Sequence, residues 1–215
     1  MSKHLFYDWF GYNHKLFHDM HHIVEDHVTI KILKMLSDYV GNYLMFPIHL
    51  VLLIVILTTF AKICNKSKDE KPIYIKTILV LCTSMALSLS LGYILKVFLE
   101  YSRPYCTHGT ILNEIVRMIN EYKHGSCYHS APSGHSVYTT TFIFSIWPIL
   151  NKYGKAISAS ILAIIMTSRV VLGFHFPADV FYGFLLAATT TLAVRKFGDK
   201  KLTNISKKIY NKYCS

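Results

Sequence analysis

Apolar residues dominate the chain in long runs broken by short charged segments. Between Asp38 and Lys62 lie 23 residues without a fixed charge, between Lys76 and Lys96 lie 19, and between Lys123 and Lys152 lie 28. Crossing a bilayer takes about 20 apolar residues, so each run holds one membrane helix. Two further runs, of 13 residues between Lys155 and Arg169 and of 15 between Asp179 and Arg195, reach that length when their helices extend past the internal charge. The pattern predicts five spans, at about 43–61, 77–98, 134–150, 156–173 and 177–194. It defines an all-α integral membrane helical bundle in one domain, with its membrane core over 39–195.

Residues 1–38 lack the apolar centre of a signal peptide. They carry helical stripes instead, Leu16, Phe17, Met20, Ile23 and Val24, then Ile32, Leu33, Leu36 and Tyr39. These predict amphipathic helices lying in the membrane interface.

Composition agrees with a membrane protein: 52% hydrophobic residues against 16% charged. The net charge of +11 raises the question of nucleic acid, but the cations sit in membrane-flanking loops with no stacking platform or recognition helix, so the expected partners are bilayer lipids. With five spans, 14 Lys and Arg of the loop 62–76, the turn 151–155 and the basic tail 195–215 share one side, against six on the other once Lys96, Arg103 and Arg169 are set aside. The positive-inside rule makes the first side cytoplasmic.

Lys96, Arg103 and Arg169 are set aside because they fall, with other chemistry-bearing residues, at the external ends of spans. Seven residues are almost two helical turns, so a helix continuing through "KVFLEYSR" would stack Lys96 and Arg103 on one face until Pro104 stops it. "PSGH" begins the third span, where Pro132 and Ser133 favour a helix start and Gly134 lets free amides meet an anion. In "HFPAD", Pro177 suits a first turn, and Asp179 lies four residues beyond His175, the spacing at which a carboxylate holds one imidazole nitrogen and leaves the other a lone pair. Arg169 adds a guanidinium fork suited to phosphate oxygens. Three cations, a helix start, two histidines and a carboxylate on one side of a membrane point to phosphate chemistry.

The three segments, "KVFLEYSRP", "PSGH" and "SRVVLGFHFPAD", resemble, in order, the three signatures of the type 2 phosphatidic acid phosphatase superfamily. The resemblance implies that His175 attacks phosphorus to form a phosphohistidine, with Asp179 orienting it. His135 would protonate the leaving oxygen and then activate water. Lys96, Arg103, Ser133, Gly134 and Arg169 would bind the phosphate oxygens, with no metal and no cofactor. The expected substrate is a lipid phosphate, whether a polyprenyl diphosphate, a lipid A phosphate, phosphatidylglycerophosphate or phosphatidate. The expected location is a bacterial inner membrane with the site facing the periplasm. Open beside it are a lipid-to-lipid phosphotransferase using the same residues, a vanadate-dependent haloperoxidase, which the five apolar spans argue against, and a transporter or binding protein for lipid phosphates, which has no need of the His–Asp pair.

Other residues invite less. His18 and His22 form an i, i+4 pair suited to a metal, but they flank an apolar stripe with no Cys nearby, and a wet interfacial face accounts for them. His49, inside the first span, reads as a packed polar residue or a support to the site. Cys106 and Cys127 bracket an external loop whose Ile111, Ile115, Met118, Ile119 and Tyr122 repeat at helical spacing. That compartment permits a disulfide, and both a bridge and two free thiols fit the sequence.

Overall fold

Helix starts follow local chemistry. Asp26 accepts from the Thr29 amide at 2.7 Å, Asn151 accepts from Gly154 at 2.8 Å, and two helices begin on prolines, Pro72 and Pro177, whose missing N–H is not needed there. The protein, a computed structural model, is described over residues 7–24, 26–42, 46–63, 72–107 and 127–213. Among them are α1 (Tyr12–His21), α2 (His27–Val40), α3 (Phe46–Ile63), α4 (Pro72–Leu99), α5 (Gly134–Ile146), α6 (Lys152–Val171) and α7 (Pro177–Tyr213), and no strand.

Helices α4, α5 and α7 pack on one another, α6 lies against α5, and α1 and α2 lie against α6. Leu53 of α3 joins Leu81, Met85 and Tyr138 in one core cluster. Large apolar side chains are left exposed on α3 (Val51, Leu52), α4 (Leu87, Leu91), α6 (Ile157, Ile164) and α7 (Leu185, Leu192). This is the surface that a bilayer covers and water does not.

Helix α4 with the turn after it, α6 and α7 are each long and apolar enough to cross a membrane, and α3 adds an apolar stretch over Phe46–Val55. The segment expected as a span at 134–150 is helical over 134–149. Helix α5 has 13 residues, about 20 Å at 1.5 Å per residue, and the chain then tightens into a 3₁₀ turn, Trp147–Ile149, around Pro148. The short helix is enclosed by its neighbours, and Ser136, Thr139, Thr140, Thr141 and Ser145 on it are all buried. Helix α7 extends beyond the span expected at 177–194, running through the basic segment expected as a tail as far as Tyr213.

The stacking of Lys96 and Arg103 on one continuous helix does not occur. Helix α4 ends at Leu99, Glu100 takes a left-handed φ of 50°, and Pro104 opens a separate turn, Pro104–Thr107. The helix breaks at Glu100, and the backbone beyond it bonds instead to the segment before α5, through the Tyr101 carbonyl and the Arg103 amide, while Pro104 disfavours helical geometry at Arg103.

Helices α1 and α2 have one face buried in the protein and one outside. Phe17 and Ile30 belong to the same core cluster as Phe174, Phe176 and Ala178, whereas Tyr12, Leu16, Val28, Met35 and Tyr39 are exposed. The loop helix expected over Ile111–Tyr122 lies outside the described residues.

Candidate active site

The end of α4 is clipped to the segment leading into α5. Lys96 Nζ donates to the carbonyls of His129 (2.9 Å) and Ser130 (3.4 Å), and His129 Nδ1 lies 2.8 Å from the Lys96 carbonyl. The Ser130 amide donates to the Tyr101 carbonyl, and the Arg103 amide to the Cys127 carbonyl, both at 2.8 Å. A disulfide joins Cys106 to Cys127 with Cα atoms 5.7 Å apart, closing the long loop directly beside Arg103. Of the two states the sequence allowed, the bridge is present.

Ser133 is the N-cap of α5, and its hydroxyl accepts from the Ser136 amide at 3.5 Å. The expectation that the amides of this helix start are free for an anion holds only in part. The Ser133 amide donates instead to the Asp179 carbonyl at 2.9 Å. The Gly134 amide and the proton of the Ser133 hydroxyl are among the donors this turn can offer an anion.

His175 sits in the loop between α6 and α7, and its position is set from behind: the amides of Phe174 and His175 both donate to the Arg169 carbonyl at 3.1 Å. Gly173, at φ 68°, provides the left-handed residue that ends α6 and turns the chain. Asp179 Oδ2 lies 3.4 Å from His175 Nδ1 and accepts from the Phe176 amide at 2.8 Å and from Ser130 Oγ at 2.5 Å. Its Oδ1 accepts from the Tyr7 hydroxyl at 2.5 Å. Since Nδ1 faces the carboxylate, Nε2 is the ring nitrogen left for chemistry.

Burial pushes the His175 pKa well below its ordinary value of 6.5, and Arg103, Lys96, Arg169 and His135 push it further the same way. An imidazole so placed is neutral at pH 7 and carries a lone pair. The Tyr7 phenol is pushed strongly upward, by burial first and then by the Asp179 charge, and keeps its proton.

Arg169 is buried, its guanidinium 4.3 Å above the Phe174 ring and its NH1 donating to Ser37 Oγ at 2.8 Å. Among the described residues, Arg103 Nε and Arg169 Nε are buried without a hydrogen-bond partner. An anion between them would supply what the protein does not. His135 abuts α2, since a Cβ on Gly41 would come within 2.9 Å of its Cδ2.

All eight residues singled out in the sequence, Lys96, Arg103, Ser133, Gly134, His135, Arg169, His175 and Asp179, lie on the turns and helix ends of this one region. Tyr7, Ser37, Gly41 and Ser130 belong there too and were missed. Ser130 sits two residues before Pro132 and was within reach of a closer reading; Tyr7, Ser37 and Gly41 come from the N-terminal helices and carry no motif. His18 and His22 have ring centroids 4.6 Å apart, and no group of three or more potential metal ligands occurs among the described residues. His49 Nδ1 contacts the Tyr138 hydroxyl, the packed polar role its position suggested.

Two apolar cavities flank Pro132. One, of about 500 Å³, runs between α4 and α7 past Leu95, Leu99, Leu185 and Leu186, with Tyr7 and Tyr101 at the site. The other, of about 260 Å³, is lined by Leu89, Gly92, Val137, Lys96 and Gly134.

Residues 77–202 match the PAP2 superfamily, and the chain belongs to it. This places the protein among the helical membrane proteins of the type 2 phosphatidic acid phosphatase kind. Two solved structures share the fold. LpxE from Aquifex aeolicus superposes with a TM-score of 0.65 at 20% identity, covering 85% of this chain and 93% of its own. The first transmembrane PAP2-type phosphatidylglycerolphosphate phosphatase from Bacillus subtilis superposes with a TM-score of 0.62 at 20% identity, covering 86% of this chain and 84% of its own. No curated protein matches the sequence.

Proposed function

We propose that the protein is a metal-independent phosphatase of a membrane lipid, cleaving a phosphomonoester or diphosphate through a phosphohistidine at His175. The observation that carries this reading is the pairing of His175 Nδ1 with Asp179 Oδ2 at 3.4 Å under the field of Lys96, Arg103 and Arg169. In the first step His175 Nε2 bonds to phosphorus as the bond to the leaving oxygen breaks, and protonated His135 gives its proton to that oxygen. In the second, His135 takes a proton from water, the water oxygen bonds to phosphorus, and the P–N bond breaks to return neutral His175 and free phosphate. Asp179 stabilises the imidazolium between the steps. Lys96, Arg103, Arg169, the Gly134 amide and the Ser133 hydroxyl hold the non-bridging oxygens, where charge builds in the transition state.

The larger apolar cavity supports a lipid substrate, because Leu95, Leu99 and Leu185 would take a hydrocarbon tail while the phosphate meets the cations. A phosphatidylglycerophosphate, as in the name of the Bacillus subtilis structure, a phosphatidate, a lipid A phosphate and a polyprenyl diphosphate share that chemistry. The imbalance of 14 to six cations supports a site on the external, periplasmic face.

The test is phosphate release from a panel of these four lipids by the wild-type protein and His175→Ala. Release by wild type alone, with lipid binding kept by the variant, supports the phosphatase; binding without release by either supports a carrier.

A further inference from the structure

Four side-chain contacts among the described residues tie the N-terminal segment to the site. The Tyr7 hydroxyl donates to Asp179 Oδ1, Asn13 Oδ1 accepts from the Ala178 amide at 2.9 Å, His21 Nδ1 lies 2.7 Å from the Val171 carbonyl, and Ser37 Oγ accepts from Arg169 NH1. Asn13, His21 and Ser37 act on backbone or on a phosphate-binding cation. Tyr7 alone of the four touches the carboxylate of the His–Asp pair.

Packing does not explain its hydroxyl. The Tyr7 ring stacks on Tyr101, with centroids 3.7 Å apart and planes 10° from parallel, and meets Phe176 edge-on at 6.4 Å. Phenylalanine would make the same ring contacts. The hydroxyl, in a residue 8% exposed, is placed on one oxygen of a fully buried carboxylate whose other oxygen faces His175. Asp179 also lies within the field of Lys96, and a carboxylate near a cation gains by turning onto it. Tyr7 holds Oδ1 and Ser130 with the Phe176 amide holds Oδ2, so the group is fixed at both ends.

We propose that Tyr7 is a positioning residue for the catalytic pair: its hydroxyl keeps Asp179 turned to His175 Nδ1 and away from the phosphate-binding cations. The assignment rests on the reading of His175 and Asp179 as the catalytic pair. It makes the N-terminal segment part of the active site, and it places Tyr7 where the larger apolar cavity meets the catalytic carboxylate.

The experiment is a double-mutant cycle in the full chain, purified in detergent, using whichever lipid of the panel wild type hydrolyses fastest. Tyr7→Phe is expected to lower kcat by about tenfold or more with KM within about twofold, and to add nothing once Asp179 is already Asn. Tyr7→Phe should still unfold in one cooperative transition, with a midpoint lowered only by the donor that Asp179 Oδ1 loses, because the ring contacts remain. A wild-type kcat for Tyr7→Phe, a change confined to KM, or the same loss in the wild-type and Asp179→Asn backgrounds overturns the assignment. Asp179→Asn with full activity overturns the catalytic pair instead, as does failure of wild type to release phosphate from every lipid, and either result removes the assignment with it.

Discussion

The Ser133 amide donates to the Asp179 carbonyl over 2.9 Å, tying the start of α5 to the first turn of α7. This bond holds the start of α5 against the His175–Asp179 pair, although 46 residues separate Ser133 from Asp179 in sequence.

Gly183, one turn further along α7, keeps the two helices at this distance. A Cβ there would come within 2.9 Å of the Ser133 carbonyl and 3.1 Å of Ser136 Cβ, and neither atom lies on a flexible side-chain end. Gly183→Ala is therefore expected to force α5 from α7, lowering kcat/KM by at least about tenfold and the melting temperature by several degrees. Unchanged kinetics in this variant would mean that the junction is not what aligns the site.

Ser130 offers a sharper probe of the carboxylate. Its hydroxyl donates to Asp179 Oδ2 and lies 3.4 Å from His175 Nδ1, in a position with no solvent exposure. Removing it leaves a buried carboxylate short of one donor, a loss of about 1–3 kcal/mol. Ser130→Ala should lower kcat by about tenfold or more with KM little altered, as steady-state rates on the preferred lipid will show.

How much of this was legible in the sequence follows from how each residue is placed. Lys96, Arg103, Ser133, Gly134, His135, Arg169, His175 and Asp179 occur in three linear segments whose spacings have a meaning of their own, and they could be read. Tyr7 could not: its partner is 172 residues away, and it is one of 15 tyrosines. The amphipathic stripes showed that helices form near the N-terminus, yet not what they pack on. Phe17 is buried while its stripe neighbours Leu16 and Ile23 are exposed, because one face of these helices meets protein and the other does not. The stacking of Lys96 on Arg103 failed on backbone geometry at Glu100, and the burial of Ser136, Thr139 and Thr140 on the helix at 134–146 was not legible, because a charge-free run does not distinguish a helix enclosed by protein from one facing lipid.

The Cys106–Cys127 bridge makes a prediction of its own. It closes a loop with a sequence separation of 21, which stabilises a fold by about 3 kcal/mol in the chain-entropy account, and Cys127 also accepts from the Arg103 amide. Reduction, or Cys106→Ser with Cys127→Ser, should lower the melting temperature and, if Arg103 holds a phosphate oxygen as proposed, raise KM more than it lowers kcat. Equal melting curves with and without reductant would contradict it.

Protonation of His175 can be followed directly. Burial and four surrounding basic groups depress its pKa below 6.5, so the neutral form is present above that value and is lost only as pH falls further. NMR of ring-labelled histidine, with the His175 signal assigned by its absence in His175→Ala, should show no titration of this ring at or above pH 6.5. A midpoint there would mean that the site is wetter or less positive than described.

The central claim is that phosphate passes through His175, and trapping the intermediate tests it most directly. Wild-type protein mixed with a lipid labelled in its terminal phosphate and quenched within milliseconds into alkali, where phosphohistidine survives, should carry label on the peptide containing His175. His175→Ala should carry none and release no phosphate, and His135→Ala should gain label more slowly than wild type. Phosphate release by wild type with no label on that peptide at any quench time, or label on another residue, would contradict the account.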